Sequence, residues 1–349
     1  MNHPLFRTLR RPAALLLAPI LALASCDNGP TEPRRPAGTE VAVVVNSSER
    51  SLTVVPVDDP AGRFTIGVGA EGSPLTVAVN GGTAVVPLGT FPFAAVVDLG
   101  QRKVVHTVAL PAGSGATGVA FLNDSIALVA NSNLNSVTPV NTRRGTAGAQ
   151  IPVGTFPQAI VASEGRAYVL NAELEKFVPV RPGSISVIDG TLKTVATIQL
   201  SGLNPGAAAF GPGGQLYVVN SGSFGGNNGS LSVVDVNTRR ETSHHPGFGN
   251  FPGSVAVGRD GLVHVGVYGE GVRVWDPATR LFRGLNPIVP GGKPPVSGIG
   301  FDFAGRLHTL NPGSCKDPGT LYRLGSTFQV EQQTSTGICP FGLAFTFLP

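Results

Sequence analysis

The side chains able to do chemistry are few and scattered. His244 and His245 are adjacent, and imidazole is a common metal ligand. Adjacent histidines have no metal-ligand spacing of their own, so they would need partners from distant parts of the chain, and a solvated loop is the plainer reading. Glu173, Glu175 and Lys176 form a charged group. Paired carboxylates can do acid–base work, but such a group usually just keeps a loop soluble. His264 and His308 lie in apolar runs, where a packed or hydrogen-bonded imidazole is expected. Phe177, Phe224, Phe248 and Phe251 lie in or beside long polar segments and could contact a partner. Neither a metal nor a cofactor is assigned. The chain contains no G-x-S-x-G, H-E-x-x-H, phosphate-binding loop, dinucleotide fingerprint or paired C-x-x-C.

The elements that position these residues come from a repeat. Residues 206–252 hold four short apolar or alternating runs separated by turn residues. The second run, LYVVN at 216–220, is apolar without alternation, as in a strand covered on both faces. It recurs as AYVLN at 167–171, LHTLN at 307–311, ALVAN at 127–131 and VAVVVN at 41–46. The third run, ending SVVD at 232–235, recurs as SVID at 186–189, RVWD at 273–276 and AVVD at 95–98. Asp98, Asp189, Asp235 and Asp276 there suit a tight turn. Pro74, Pro157, Pro205, Pro252, Pro295 and Pro340, with Ala116 filling one gap, precede the innermost run. These marks stand about 40–50 residues apart, the period of a four-stranded propeller blade. The expected fold is all-β, a seven-bladed propeller of four-stranded antiparallel blades over residues 40–349. Blade one opens directly on its second strand, and FGLAFTF at 341–347 closes the ring by joining it.

The pattern Y-V-x-N, then S-V-x-D, then a proline before the inner strand resembles the YVTN-type repeat family of seven-bladed β-propellers over about residues 40–347. It is strongest at 168–171 with 186–189 and at 217–220 with 230–235. Blade two has Pro87 in the asparagine slot and blade six has Gly266. Against the same slots His264 matches Val218 and His308 matches Tyr217, so the two should point to opposite faces of their blades. The resemblance implies a fold and little about activity.

Arg7, Arg10 and Arg11 precede an apolar run at 13–25, too short to span a bilayer. It ends Leu23-Ala24-Ser25-Cys26, which resembles the lipobox of bacterial lipoproteins. That resemblance implies cleavage after residue 25, acylation of Cys26 and attachment to a bacterial membrane. Residues 27–39, rich in proline and polar residues, read as a flexible tether. The formal charge of +4 includes the three leader arginines; without them it is +1, which removes the case for nucleic acid. Of three cysteines, Cys315 and Cys339 fall in the last blade, in loops on one side of the ring; a disulfide there suits an exported protein.

Loops between first and second strands, and between third and fourth, are short. The others are long: 172–183, 221–229, 243–251, 287–294 and 312–319. Loops held by a rigid scaffold carry binding residues. The candidate binding face is therefore Glu173, Glu175, Lys176, Phe224, Asn227, Asn228, His244, His245, Lys293, Lys316 and Asp317. The reading is a monomeric, lipid-anchored envelope protein, facing the periplasm or exterior, whose propeller binds a protein or cell-envelope ligand without catalysis. The alternative is a propeller enzyme, similar to streptogramin lyases or quinoprotein dehydrogenases, with its site at the channel mouth.

Overall fold

The run at 216–220 is buried at every position because its strand, Gln215–Asn220, lies inside a blade with another blade on each side. It pairs antiparallel with Pro205–Phe210 toward the axis and with Ser230–Asp235 away from it. Arg240–Pro246 adds the outer edge, where burial alternates with exposure. This sheet is blade five. The computed structural model describes Met1 and residues 35–349; the expected leader, Cys26 and most of the expected tether lie outside the described residues.

Seven such sheets make a ring, and each seam between blades holds its own apolar cluster. Between blades four and five, for example, Leu170, Ile185 and Ile198 meet Leu216, Val218 and Val234. Blade one has Thr39–Asn46, Ser51–Pro56 and Phe64–Gly67, and takes its inner strand, Pro340–Leu348, from the far end of the sequence. This closure covers the edge of Thr39–Asn46 that an open ring would leave. Sheets, seams and closure are all made within residues 39–348. Thr39 pairs with Leu348, so the chain enters and leaves the ring on one side. That is the side of the turns joining first to second and third to outer strands.

The asparagine slot has a physical reason. Asn46, Asn131, Asn171 and Asn220 are fully buried, and a buried amide must find partners. Each Nδ2 donates to two hydroxyls on the third strand: Ser51 and Thr53, Ser136 and Thr138, Ser184 and Ser186, Ser230 and Ser232. A glycine arriving from the preceding blade packs on this group. Gly337 N–H donates to Asn46 Oδ1 at 3.0 Å. At Gly154 and Gly202 a Cβ would lie 2.6 and 2.1 Å from the amide carbons of Asn171 and Asn220. Each of these glycines stands three residues before an inner-strand proline, a G-x-x-P spacing legible in the sequence.

Register corrects two alignments. Pro252 pairs with Val267 as Pro205 pairs with Asn220, so the slot in blade six holds Val267, not Gly266. His264 and His308 then both occupy the position of Tyr217, on equivalent faces of their blades rather than opposite ones. Blade six also has an outer strand of only two residues, Leu281–Phe282.

Asn220→Ala leaves the Ser230 and Ser232 hydroxyls without their donor. Urea unfolding should show a loss of about 1–3 kcal/mol. Glu175→Ala, at an exposed position, should stay within about 0.5 kcal/mol of wild type.

Candidate functional site

On the short-turn side the aspartates close their turns. Asp98, Asp189, Asp235 and Asp276 each accept a backbone N–H two or three residues on, at 2.8–2.9 Å. These bonds lower the Asp235 and Asp276 carboxyls below their ordinary value; at Asp189 the Thr191 hydroxyl is the largest contributor.

The opposite side carries the long loops. In blade four, Leu174–Glu175 and Val178–Pro179 form a small hairpin whose turn residues, Lys176 and Phe177, both have positive φ, as a tight two-residue hairpin turn requires. Glu175 and Lys176 are exposed at its tip. Glu173 is not part of that tip: it is buried, paired with Arg181 at 2.5 Å and bonded by the Ser184 hydroxyl. Glu173 therefore anchors the loop base, and the charged tip expected of Glu173, Glu175 and Lys176 is made by the last two alone. In blade five, Asn227 is exposed, and Asn228 accepts Ser223 N–H to close its loop. Lys293, Lys316 and Asp317 are exposed on the loops of blades six and seven. Cys315 and Cys339 are disulfide-bonded, with Cα atoms 4.4 Å apart.

His244 and His245 are not loop residues. They belong to the outer strand of blade five, opposite Ser232 and Leu231, so alternation sends them to opposite faces. His245 packs on Trp275 of blade six, ring centres 4.8 Å apart, and its Nε2 lies 2.9 Å from Ser243 Oγ. Burial lowers its pKa, as do the charges of Arg280 and His244. Among the described residues no three His, Cys, Asp or Glu side chains gather as a metal cluster.

The two strand histidines do repeat-equivalent packing. Tyr168, His264 and His308 each meet, edge to face, a phenylalanine on the next inner strand: Phe210, Phe301 and Phe345, at 5.7, 5.0 and 5.0 Å. His308 also reaches buried Asp302 at 3.0 Å, and Arg306 bridges Asp302 to Asp58 of blade one. Burial alone would raise the Asp302 carboxyl, but bonds from His308 and Arg306 hold it at about 2. Burial lowers the His308 imidazole. Both folded values lie below the unfolded ones, so the stabilisation is present above those values and lost as pH falls. Between about pH 4 and 2 the Asp302 contribution, about 2 kcal/mol, should disappear. Urea midpoints measured from pH 7 to 2 should show that fall in wild type and a flatter profile in Asp302→Asn.

The axial channel is lined by all seven inner strands and has a volume of about 400 Å³. Leu75, Val119, Ile160, Val255, Ile299 and Leu343 dominate it, with Thr76, Ser254 and Ser297 as its polar side chains. Thr76 and Ser297 donate to the carbonyls of Thr117 and Pro340 in the next blade, so they join blades.

The feature that does converge is apolar. The loop from second to third strand carries an exposed large apolar side chain in four consecutive blades: Leu134 (38%), Phe177 (78%), Phe224 (90%) and Tyr268 (41%). Phe156 supports Phe177 edge-on at 5.7 Å, and Phe251 supports Phe224 at 5.8 Å. Leu134 and Tyr268 were not singled out by the sequence, because each looks ordinary until the repeat register puts it beside the others. Phe248 is fully buried against Trp275 and Phe282.

Loss of the Cys315–Cys339 bond should weaken the last blade. The bond spans 24 residues, for which chain entropy suggests about 3 kcal/mol. Thermal unfolding of Cys315→Ser with Cys339→Ser should show a midpoint several degrees lower.

No family model matches the chain, and no curated protein matches it. Solved structures do. Hydrazine synthase from Kuenenia stuttgartiensis superposes with a TM-score of 0.65 at 19% identity, over 78% of this chain and 90% of that one. A protein of unknown function from Desulfotomaculum acetoxidans DSM 771 superposes with a TM-score of 0.66 at 16% identity, over 88% and 99%. At such identities the likeness shows a shared β-propeller fold.

Proposed function

We propose that this protein is a lipid-anchored envelope protein whose propeller binds a protein partner through the long-loop face. The carrying observation is the arc of Leu134, Phe177, Phe224 and Tyr268 across four successive blades. Aromatic side chains are enriched where proteins bind one another, and large exposed apolar groups on one face mark interaction sites. The short-turn side exposes Val195, Leu281 and Val330 at the starts of outer strands, but among the described residues the exposed aromatic side chains, Phe177, Phe224, Phe251 and Tyr268, all lie on the long-loop side. The channel lining favours this reading over an enzyme at the axis, since its side chains are apolar or small, and its threonine and one of its serines bond neighbouring blades.

The anchor is proposed from Leu-Ala-Ser-Cys at 23–26, and the YVTN-type repeat from the asparagine slots. Anchoring and binding fit one geometry. The chain enters the ring at Thr39, on the short-turn side, so an anchor at Cys26 attaches the ring by that side, opposite the apolar arc. Residues 27–38 extend at most about 40 Å, enough to keep the ring near the bilayer.

Two measurements test this. Mass spectrometry of the protein from its native membrane should find Cys26 acylated, and Cys26→Ser should move the protein to the soluble fraction. A photo-cross-linking residue at position 224 should capture a discrete protein adduct in cells, which Phe177→Ser abolishes; the same residue at position 237, on the short-turn side, should not. Equal labelling from both positions would remove the case for the loop face.

A further inference from the structure

We propose that the short-turn face is itself a docking surface for anionic lipid headgroups. The anchor reading supplies its orientation; the charge distribution supplies the surface. Third-to-outer-strand turns present exposed basic residues in four successive blades: Arg102, Arg143 and Arg144, Lys193, then Arg239 and Arg240. Ion pairs on this side use other arginines, Arg283 with Asp276 and Arg306 with Asp302 and Asp58. Acids in the same turns, Asp98, Asp189 and Asp235, are drawn into backbone hydrogen bonds. Blade three has neutral Asn141 in that place, so Arg143 and Arg144 stand without a neighbouring acid in their turn.

The asymmetry does not come from overall charge, which is only +1 without the leader arginines. The long-loop side mixes Glu175 and Asp317 with Lys176, Lys293 and Lys316. The first-to-second turns of the same side also expose Asp124, Glu164 and Asp260, so the basic patch is the arc from Arg102 to Arg240 along the third-to-outer turns, on the side where Thr39 leads back toward the proposed anchor. The occupant that fits is a flat anionic surface within reach of the tether. Attraction to such a surface falls off within a Debye length, which a short tether satisfies. Contact through this arc would stop the ring from tumbling on its tether and would hold the apolar loops outward.

The test uses the ring with its tether, residues 27–349, which lacks both leader and anchor. It should sediment with phosphatidylglycerol vesicles and not with phosphatidylcholine vesicles, and salt at about 0.5 M should release it. Neutralising Arg143, Arg144, Arg239 and Arg240 to Gln should weaken vesicle binding by about fivefold per charge. Lys176→Gln with Lys316→Gln, on the far side, should leave it unchanged. No preference for the anionic vesicles, or equal loss in both variants, would overturn the proposal. Because Cys26 is absent from this assay, a failure here is distinct from a failure of the acylation test.

Discussion

The most constrained polar group in the ring is a buried amide whose N–H groups must find partners. In four blades an asparagine sits where its strand is covered on both faces, and its Nδ2 joins two hydroxyls of the next strand. At Asn46, Asn171 and Asn220 the incoming chain brings a glycine past that amide, because a Cβ there would overlap it. Removing the asparagine strands two hydroxyls in a region without water. Blade-to-blade registration then follows from polar geometry, while the bulk of the stability comes from the apolar seams. Apolar contact alone tolerates sliding; the close fit of a glycine against the amide does not.

Closure applies the same logic to the whole ring. Blade seven is tied to blade one by strand pairing, by Gly337 on Asn46, and by the Asp302, Arg306 and Asp58 charge group. The disulfide holds the far corner of the last blade. Both ends of the ring therefore lie on one side, and the two faces are free to differ. Short turns stiffened by aspartate occupy one. Loops with room for exposed apolar side chains occupy the other.

The histidines show how a repeat context decides the role of a side chain. His245 covers Trp275 at a seam, and His264 and His308 fill a position that is tyrosine in two other blades. An imidazole in that position is a slightly shorter ring meeting a phenylalanine edge. Its polar atoms are incidental at His264, whose Nε2 has no partner, and structural at His308, which bonds Asp302.

Periodicity alone determined the blade count, the four-strand plan, the joining of first and last strands, and the division into short-turn and long-loop sides. These are consequences of chain order and alternation, which a sequence states directly. The aspartate turns were equally legible, since they depend on neighbours two or three residues away. Tertiary structure decided everything that depends on one residue of register or on packing between blades. It put Val267 in the slot assigned to Gly266, gave His244 and His245 to a strand, and buried Glu173 under Arg181. It also assembled Leu134, Phe177, Phe224 and Tyr268 into one arc from loops more than 40 residues apart. A shift of one residue reverses a strand side chain, and a loop residue has no periodic neighbour to fix its exposure, so neither could be read before the ring was closed.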